Sequence, residues 1–291
     1  MRFIKRILSV AFACLFVFAA SSCKDKKSPS EPEGTYTDVY ILAGQSNAVG
    51  YTLISGCEEE YKTGFKNVKI FQDGEQKQHN PTKINAWFSV KTGLGQTPNK
   101  SGIELGLAKT LSPVYADAEC RIIRYGWGGK TLYNDFTPPS IIKENDSETR
   151  GQHYRNAVET VKNGLSSMEK EGLTPRIRAI LWMQGEHDAT QKQFAEAYES
   201  NLQALIGALR AEFGDVYFLI GQIAANSPNN SRYAPTVIAA QNAVSEQMEN
   251  VFVIDTADLP LDIQKDAWHW QLPEMLELGN RFGEFIKQVI L

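Results

Sequence analysis

The feature that most constrains this chain is an alternation of short apolar runs with helical patterns. Residues 39–43, 120–125, 178–183, 216–220 and 251–254 each read as a strand. Amphipathic helices lie between and after them. One carries Tyr154, Val158, Val161, Leu165 and Met168 on one side. A second carries Phe194, Tyr198, Leu202, Leu205 and Leu209, and a last one Met275, Leu278, Phe282, Phe285 and Val289. Spacings of three and four put those side chains on one buried face. Strands separated by helices predict an α/β fold of three layers, α/β/α, with a central parallel sheet of about five strands. The stretch 56–98 fits the alternation poorly and is rich in glycine and proline. It reads as long loops with short strands such as 68–71.

In such a sheet, polar residues just past the strand ends gather in one crevice. Four segments supply them. The first strand runs into Gly44-Gln45-Ser46-Asn47, where a glycine permits a sharp turn and a helix start offers unpaired N–H groups. The second runs into Gly128-Gly129-Lys130, whose glycines allow close backbone approach; no GxxxxGK[ST] loop surrounds the lysine. The third runs into Trp182-Met183-Gln184-Gly185-Glu186-His187-Asp188. Near the end stands Asp266-Ala267-Trp268-His269, a carboxylate three residues from an imidazole. Taken singly, each segment is equally a helix cap, a turn or a brace. Together they provide a hydroxyl, a base with a carboxylate partner and anion-stabilising donors, the parts of nucleophilic acyl transfer. His187 is a second candidate base, and Trp127, Trp268 and Trp270 are candidates to stack on a ligand.

These segments resemble the blocks of the SGNH (GDSL-like) hydrolase superfamily, and more closely its sialate O-acetylesterase-like branch, which includes carbohydrate esterase family 6. The resemblance spans residues 39–289. It implies a flavodoxin-like SGNH fold with Ser46, Asp266 and His269 as catalytic residues. It further implies an oxyanion hole made by the backbone of Ser46 and Gly129 and the side chain of Gln184. Gln45, Asn47, Gly128, Glu186 and Asp188 are supporting residues, and Glu104 a structural one. The implied reaction is removal of O-acetyl groups from a carbohydrate through an acyl-serine, with no metal and no cofactor. The alternatives are an esterase for a non-carbohydrate acyl ester and a catalytically silent, lipid-anchored carbohydrate-binding protein.

The N-terminus bears on location. Arg2, Lys5 and Arg6 precede an apolar run over 7–20, shorter than the roughly 20 residues of a spanning helix, and small residues then lead to Cys23. This is the layout of a signal peptide over 1–22. The Ala-Ala-Ser-Ser-Cys ending resembles a lipobox, which implies lipidation of Cys23 and membrane attachment, periplasmic or cell-surface. Residues 24–36 read as a flexible tether and 37–291 as a single esterase domain. The net charge is −4, and more negative without the leader, which disfavours nucleic acid as a partner. An acetylated glycan or sugar is the expected substrate; the oligomeric state is open. Of the four cysteines, Cys57 and Cys120 remain in the domain and are either a candidate disulfide or two buried thiols.

Overall fold

The computed structural model describes residues 35–230 and 232–291. The leader, Cys23 and nearly all of the tether lie outside the described residues. Along the chain run β1 (Thr37–Gly44), α1 (Ser46–Val49), β2 (Thr52–Leu53), α2 (Glu59–Thr63), β3 (Phe65–Gly74) and α3 (Glu75–His79). Then come β4 (Phe88–Val90), β5 (Lys100–Ser101), α4 (Glu104–Leu111), β6 (Cys120–Gly126) and α5 (Gln152–Lys170). The remainder comprises β7 (Pro175–Met183), α6 (Lys192–Phe213), β8 (Tyr217–Gly221), α7 (Ala234–Gln247), β9 (Val251–Ile254) and α8 (Leu272–Phe285).

Seven strands form one sheet in the order β4-β3-β6-β1-β7-β8-β9. All neighbours pair in parallel except β4, which runs antiparallel to β3 at one edge. The sheet is thus wider than the expected five strands. The extra parallel member, β3, pairs with β6 from Val68 to Gly74. Lys66, Asn67, Lys69, Gln72 and Asp73 break its apolar run, so its length comes from its partner strand rather than from a local pattern.

Every residue of β1 is buried, as a strand covered on both faces must be. On one face Ile41, Ala43, Ile180 and Trp182 meet α5 and α6 through Tyr154, Val161, Leu205 and Leu209. On the other, Phe282 of α8 lies over Gly221 and Met183. Helices α4 and α8 cross closely, because a side chain on Gly106 or Gly279 would strike the partner's backbone at 2.0 or 2.3 Å. The face expected along the last helix ends early: Val289 is exposed.

The chain leaves β1 for one half of the sheet and returns to build the other, so β1 sits where the strand order reverses. Gly44, Gly74 and Gly126 stand side by side at the carboxyl ends of β1, β3 and β6. Gly44 has φ +144°, and a Cβ there would lie 2.0 Å from Met183 O. Only glycine lets β1 end this tightly against β7.

Cys57 and Cys120 are both buried free thiols, the second of the two readings open to them, and not the candidate disulfide. Cys120 stands in the sheet between Asp38 and Val68, whereas Cys57 lies in the turn that leads to α2. An even number of cysteines does not by itself bring two Cα atoms within bonding reach. No helix among the described residues is long and apolar enough to cross a membrane.

Candidate active site

A cavity of about 250 Å³ opens at the carboxyl edge beyond β1, lined by Gln45, Ser46, Tyr51, Gly128, Gly129, His187, Trp268 and His269. Residues from four distant parts of the sequence meet there.

Ser46 begins α1, and this short helix is closed by bonds from Ala48 N and Val49 N to Gln45 O. The backbone N–H of Ser46 has no acceptor among the described residues, as expected of a first helical residue. Asn47 does not line the cavity. Its Nδ2 donates to Glu186 Oε1 at 2.6 Å and to Trp268 O at 3.3 Å, tying the first strand end to the third and to the histidine segment.

His269 sits in a tight turn built by Asp266. Asp266 Oδ1 accepts from Trp268 N and His269 N, and Oδ2 faces His269 Nδ1 at 2.8 Å. A carboxylate accepts only, so Nδ1 carries a proton, and in the neutral ring Nε2 is the bare nitrogen. Burial pushes the Asp266 carboxyl up, but the bonds from the His269 ring and the two N–H groups outweigh it and hold it below its ordinary value. Tyr51 stacks on the imidazole, with centroids 4.7 Å apart and planes at 20°.

The second strand end is pinned by a residue not singled out in the sequence. Glu75 follows Gly74 at the end of β3. Its Oε2 accepts from Gly128 N at 2.8 Å, and its Oε1 from Tyr51 OH at 2.5 Å. Gln96 Nε2 joins the same pair. Gly128 must lack a side chain, since a Cβ would meet Tyr51 Oη and Glu75 Oε2 at 2.8 and 3.0 Å. With Gly128 N occupied, Gly129 N remains without an acceptor among the described residues, at φ +65° on the cavity wall. The missed signal is positional: Glu75 follows a strand-ending glycine, but β3 is not legible as a strand that long.

The third strand end departs from expectation at Gln184. Its side chain is fully buried and does not line the cavity. Gln184 Nε2 donates to Asp188 Oδ2 at 2.5 Å and Lys130 O at 3.1 Å, with Gln45 Oε1 at 3.3 Å. Its Oε1 accepts from Tyr198 OH at 3.1 Å. The amide's two hydrogens are therefore engaged inside the protein, and Gln184 holds three strand ends together behind the cavity lining. Asp188 completes the brace by accepting from Leu132 N and Tyr133 N. Burial, against these bonds, raises its carboxyl to about 7. Glu186 is likewise buried and raised to about 7 by desolvation, with the Asn47 bond opposing.

The other candidates fall into place around this core. His187 lines the cavity, and its ring has no carboxylate partner among the described residues; burial lowers its pKa. Of the tryptophans, Trp268 faces the cavity. Trp270 is fully buried and donates to Leu259 O at 2.7 Å, while Trp127 borders a separate hollow with Asp73 and Asn156. Lys130 pairs with Asp135 at 3.2 Å. Glu104 forms a buried ion pair with Arg124 at 2.8 Å.

The family model for carbohydrate esterase, sialic acid-specific acetylesterase matches residues 36–288. No curated protein sequence matches the chain. Among solved structures, a protein from Arabidopsis thaliana is 17% identical with a TM-score of 0.65, covering 88% of this chain and 100% of its own. NanS is 16% identical with a TM-score of 0.61, over 87% and 97%. A carbohydrate acetylesterase from Xanthomonas citri is 18% identical with a TM-score of 0.63; the match covers 87% of this chain and 56% of that one. At these identities the likeness establishes the fold.

Proposed function

The chain belongs to the carbohydrate esterase, sialic acid-specific acetylesterase family, and on that premise we propose that it removes O-acetyl groups from a carbohydrate through an acyl-serine formed on Ser46. The observation that carries this reading is one arrangement. Ser46, Gly129 and His269 line a single cavity, and Asp266 leaves the bare Nε2 of His269 as the ring nitrogen able to take a proton.

In the first step His269 Nε2 takes the Ser46 hydroxyl proton while Oγ bonds to the acetyl carbonyl carbon. The carbonyl π pair moves onto oxygen, and the N–H groups of Ser46 and Gly129 meet that charge. Collapse expels the sugar oxygen, which takes the proton from His269. Water then repeats the sequence on the acetyl-serine, releasing acetate and restoring the hydroxyl. Asp266 keeps the proton on Nδ1 and steadies the imidazolium between steps.

Trp268 gives the cavity an aromatic wall suited to a sugar ring, which supports a carbohydrate leaving group. The leader sequence supports an exported enzyme tethered through lipid on Cys23. Acetate release from a panel of O-acetylated sugars and glycans tests the activity. We expect turnover on at least one member, abolished in Ser46→Ala. Turnover retained in Ser46→Ala rejects the acyl-serine route. Radiolabelled palmitate incorporation, lost in Cys23→Ala, tests the anchor.

A further inference from the structure

We infer that the side-chain amide of Gln45, and not that of Gln184, is the third donor to the oxyanion. This rests on the acyl-serine reading above and adds a catalytic residue to it.

The orientation of Gln45 follows from its neighbours. Its Oε1 receives two backbone donors, His187 N at 3.3 Å and Gly185 N at 3.5 Å, and Gln184 Nε2 lies 3.3 Å from it. Turning the amide over would set its NH₂ against those two N–H groups and the Gln184 NH₂, so the oxygen must point inward. The nitrogen then points away from the third strand end. Gln45 is only 3% exposed and lines the cavity beside Ser46, and its Nε2 donates to nothing among the described residues. A buried amide with an oxygen held by two backbone N–H groups and a nitrogen that donates to none of the described residues presents that nitrogen to whatever enters the cavity. An acceptor there is chemically required once Ser46 Oγ adds to an ester carbonyl, because the carbonyl π pair becomes an oxygen anion next to residue 46. Gln184 cannot take this part, as its own hydrogens are committed to Asp188 and Lys130 O. Its contribution is to help hold Gln45 in place.

Gln45→Glu tests the assignment. It keeps the accepting oxygen of residue 45 and replaces the donor with an acceptor. Kinetics on 4-nitrophenyl acetate and on its thionoester, where sulfur replaces the carbonyl oxygen, should be compared across Gln45→Glu, Ser46→Ala and the parent. We expect kcat for the oxygen ester to fall about a hundredfold or more, with KM within about threefold, and the parent's preference for oxygen over sulfur to shrink. A structural role alone would leave that preference unchanged. Should Gln45→Glu fail to fold, Gln45→Asn withdraws the amide and the same ratio decides. A kcat within about threefold of the parent, or an undiminished preference for oxygen, overturns the assignment while Ser46→Ala remains inactive. Activity surviving in Ser46→Ala would instead overturn the acyl-serine reading itself.

Discussion

Tyr51 lies flat against the imidazole of His269 while its hydroxyl is bonded to Glu75, the residue that holds Gly128 N. One side chain thus links the proton acceptor to the loop that carries Gly129. Tyr51→Phe keeps the stacked ring and removes the link to Glu75. We expect a loss of roughly tenfold in kcat with KM little changed, and a larger loss in Tyr51→Ala, since misplacement by an ångström can cost a hundredfold. Steady-state kinetics on an acetyl ester would check this. Equal kcat in the parent and both variants would remove Tyr51 from any positioning role.

Asp266→Asn alters the partner of Nδ1 with little change in shape. The amide can donate where the carboxylate accepts, which favours the tautomer with the proton on Nε2. We expect kcat to fall roughly a thousandfold, with folding intact by circular dichroism. A fall of less than tenfold would point to another carboxylate as the partner of His269.

Gln184→Ala should act mainly on stability. Removing this buried amide leaves Lys130 O and part of Asp188 without donors and opens a cavity. Such losses cost about 3 kcal/mol together. Denaturant unfolding should show a lower midpoint, while the folded fraction keeps kcat within about tenfold. A stable variant with kcat reduced a hundredfold would return Gln184 to the oxyanion.

The buried carboxyl of Glu186 sets a pH dependence of stability. Its folded pKa, raised to about 7 from an ordinary 4.5, means that the folded state holds a proton that the unfolded state has released. The stability it contributes is present below about 4.5 and is lost as pH rises through about 7. Asp188, raised to about 7 from 3.8, has the same sign. We expect the melting temperature to decline between pH 5 and 8. Glu186→Gln should flatten the decline and stabilise the protein at pH 8 by about 3 kcal/mol at most. It also replaces Glu186 Oε2, a buried oxygen with no hydrogen-bond partner among the described residues, by a donor. A melting temperature that rises over this range, or an unchanged slope in Glu186→Gln, would contradict the assignment.

Much of the fold is legible in the sequence because periodicity is local. The strands β1, β6, β7, β8 and β9 and the helices α5, α6 and α8 each show an apolar spacing that matches their burial. Where the pattern is silent, the partner decides. Polar residues interrupt β3, yet it extends over ten residues because β6 lies beside Val68–Gly74 and β4 pairs with it from Phe65. Likewise, Val289 continues the apolar spacing of α8 but has nothing to pack against.

The site divides along the same line. Residue types and strand-end positions single out Ser46, Gly129, Asp266 and His269, because a hydroxyl, a glycine and an Asp–His pair at short spacing carry their chemistry with them. They cannot show how two neighbouring amides, Gln45 and Gln184, are oriented. Either glutamine can donate or accept, and the choice depends on which N–H groups and oxygens the folded chain brings to each end. Nor can they reveal that Glu75 and Tyr51 join His269 to the loop of Gly128 and Gly129, since 24 residues separate them in the chain. What the sequence determined is the set of candidate reacting groups and the layered sheet that collects them. Which of those groups face the cavity, and which are held away from it, was decided only by the tertiary hydrogen bonds, because a polar side chain's role is set by the partners left unsatisfied after folding.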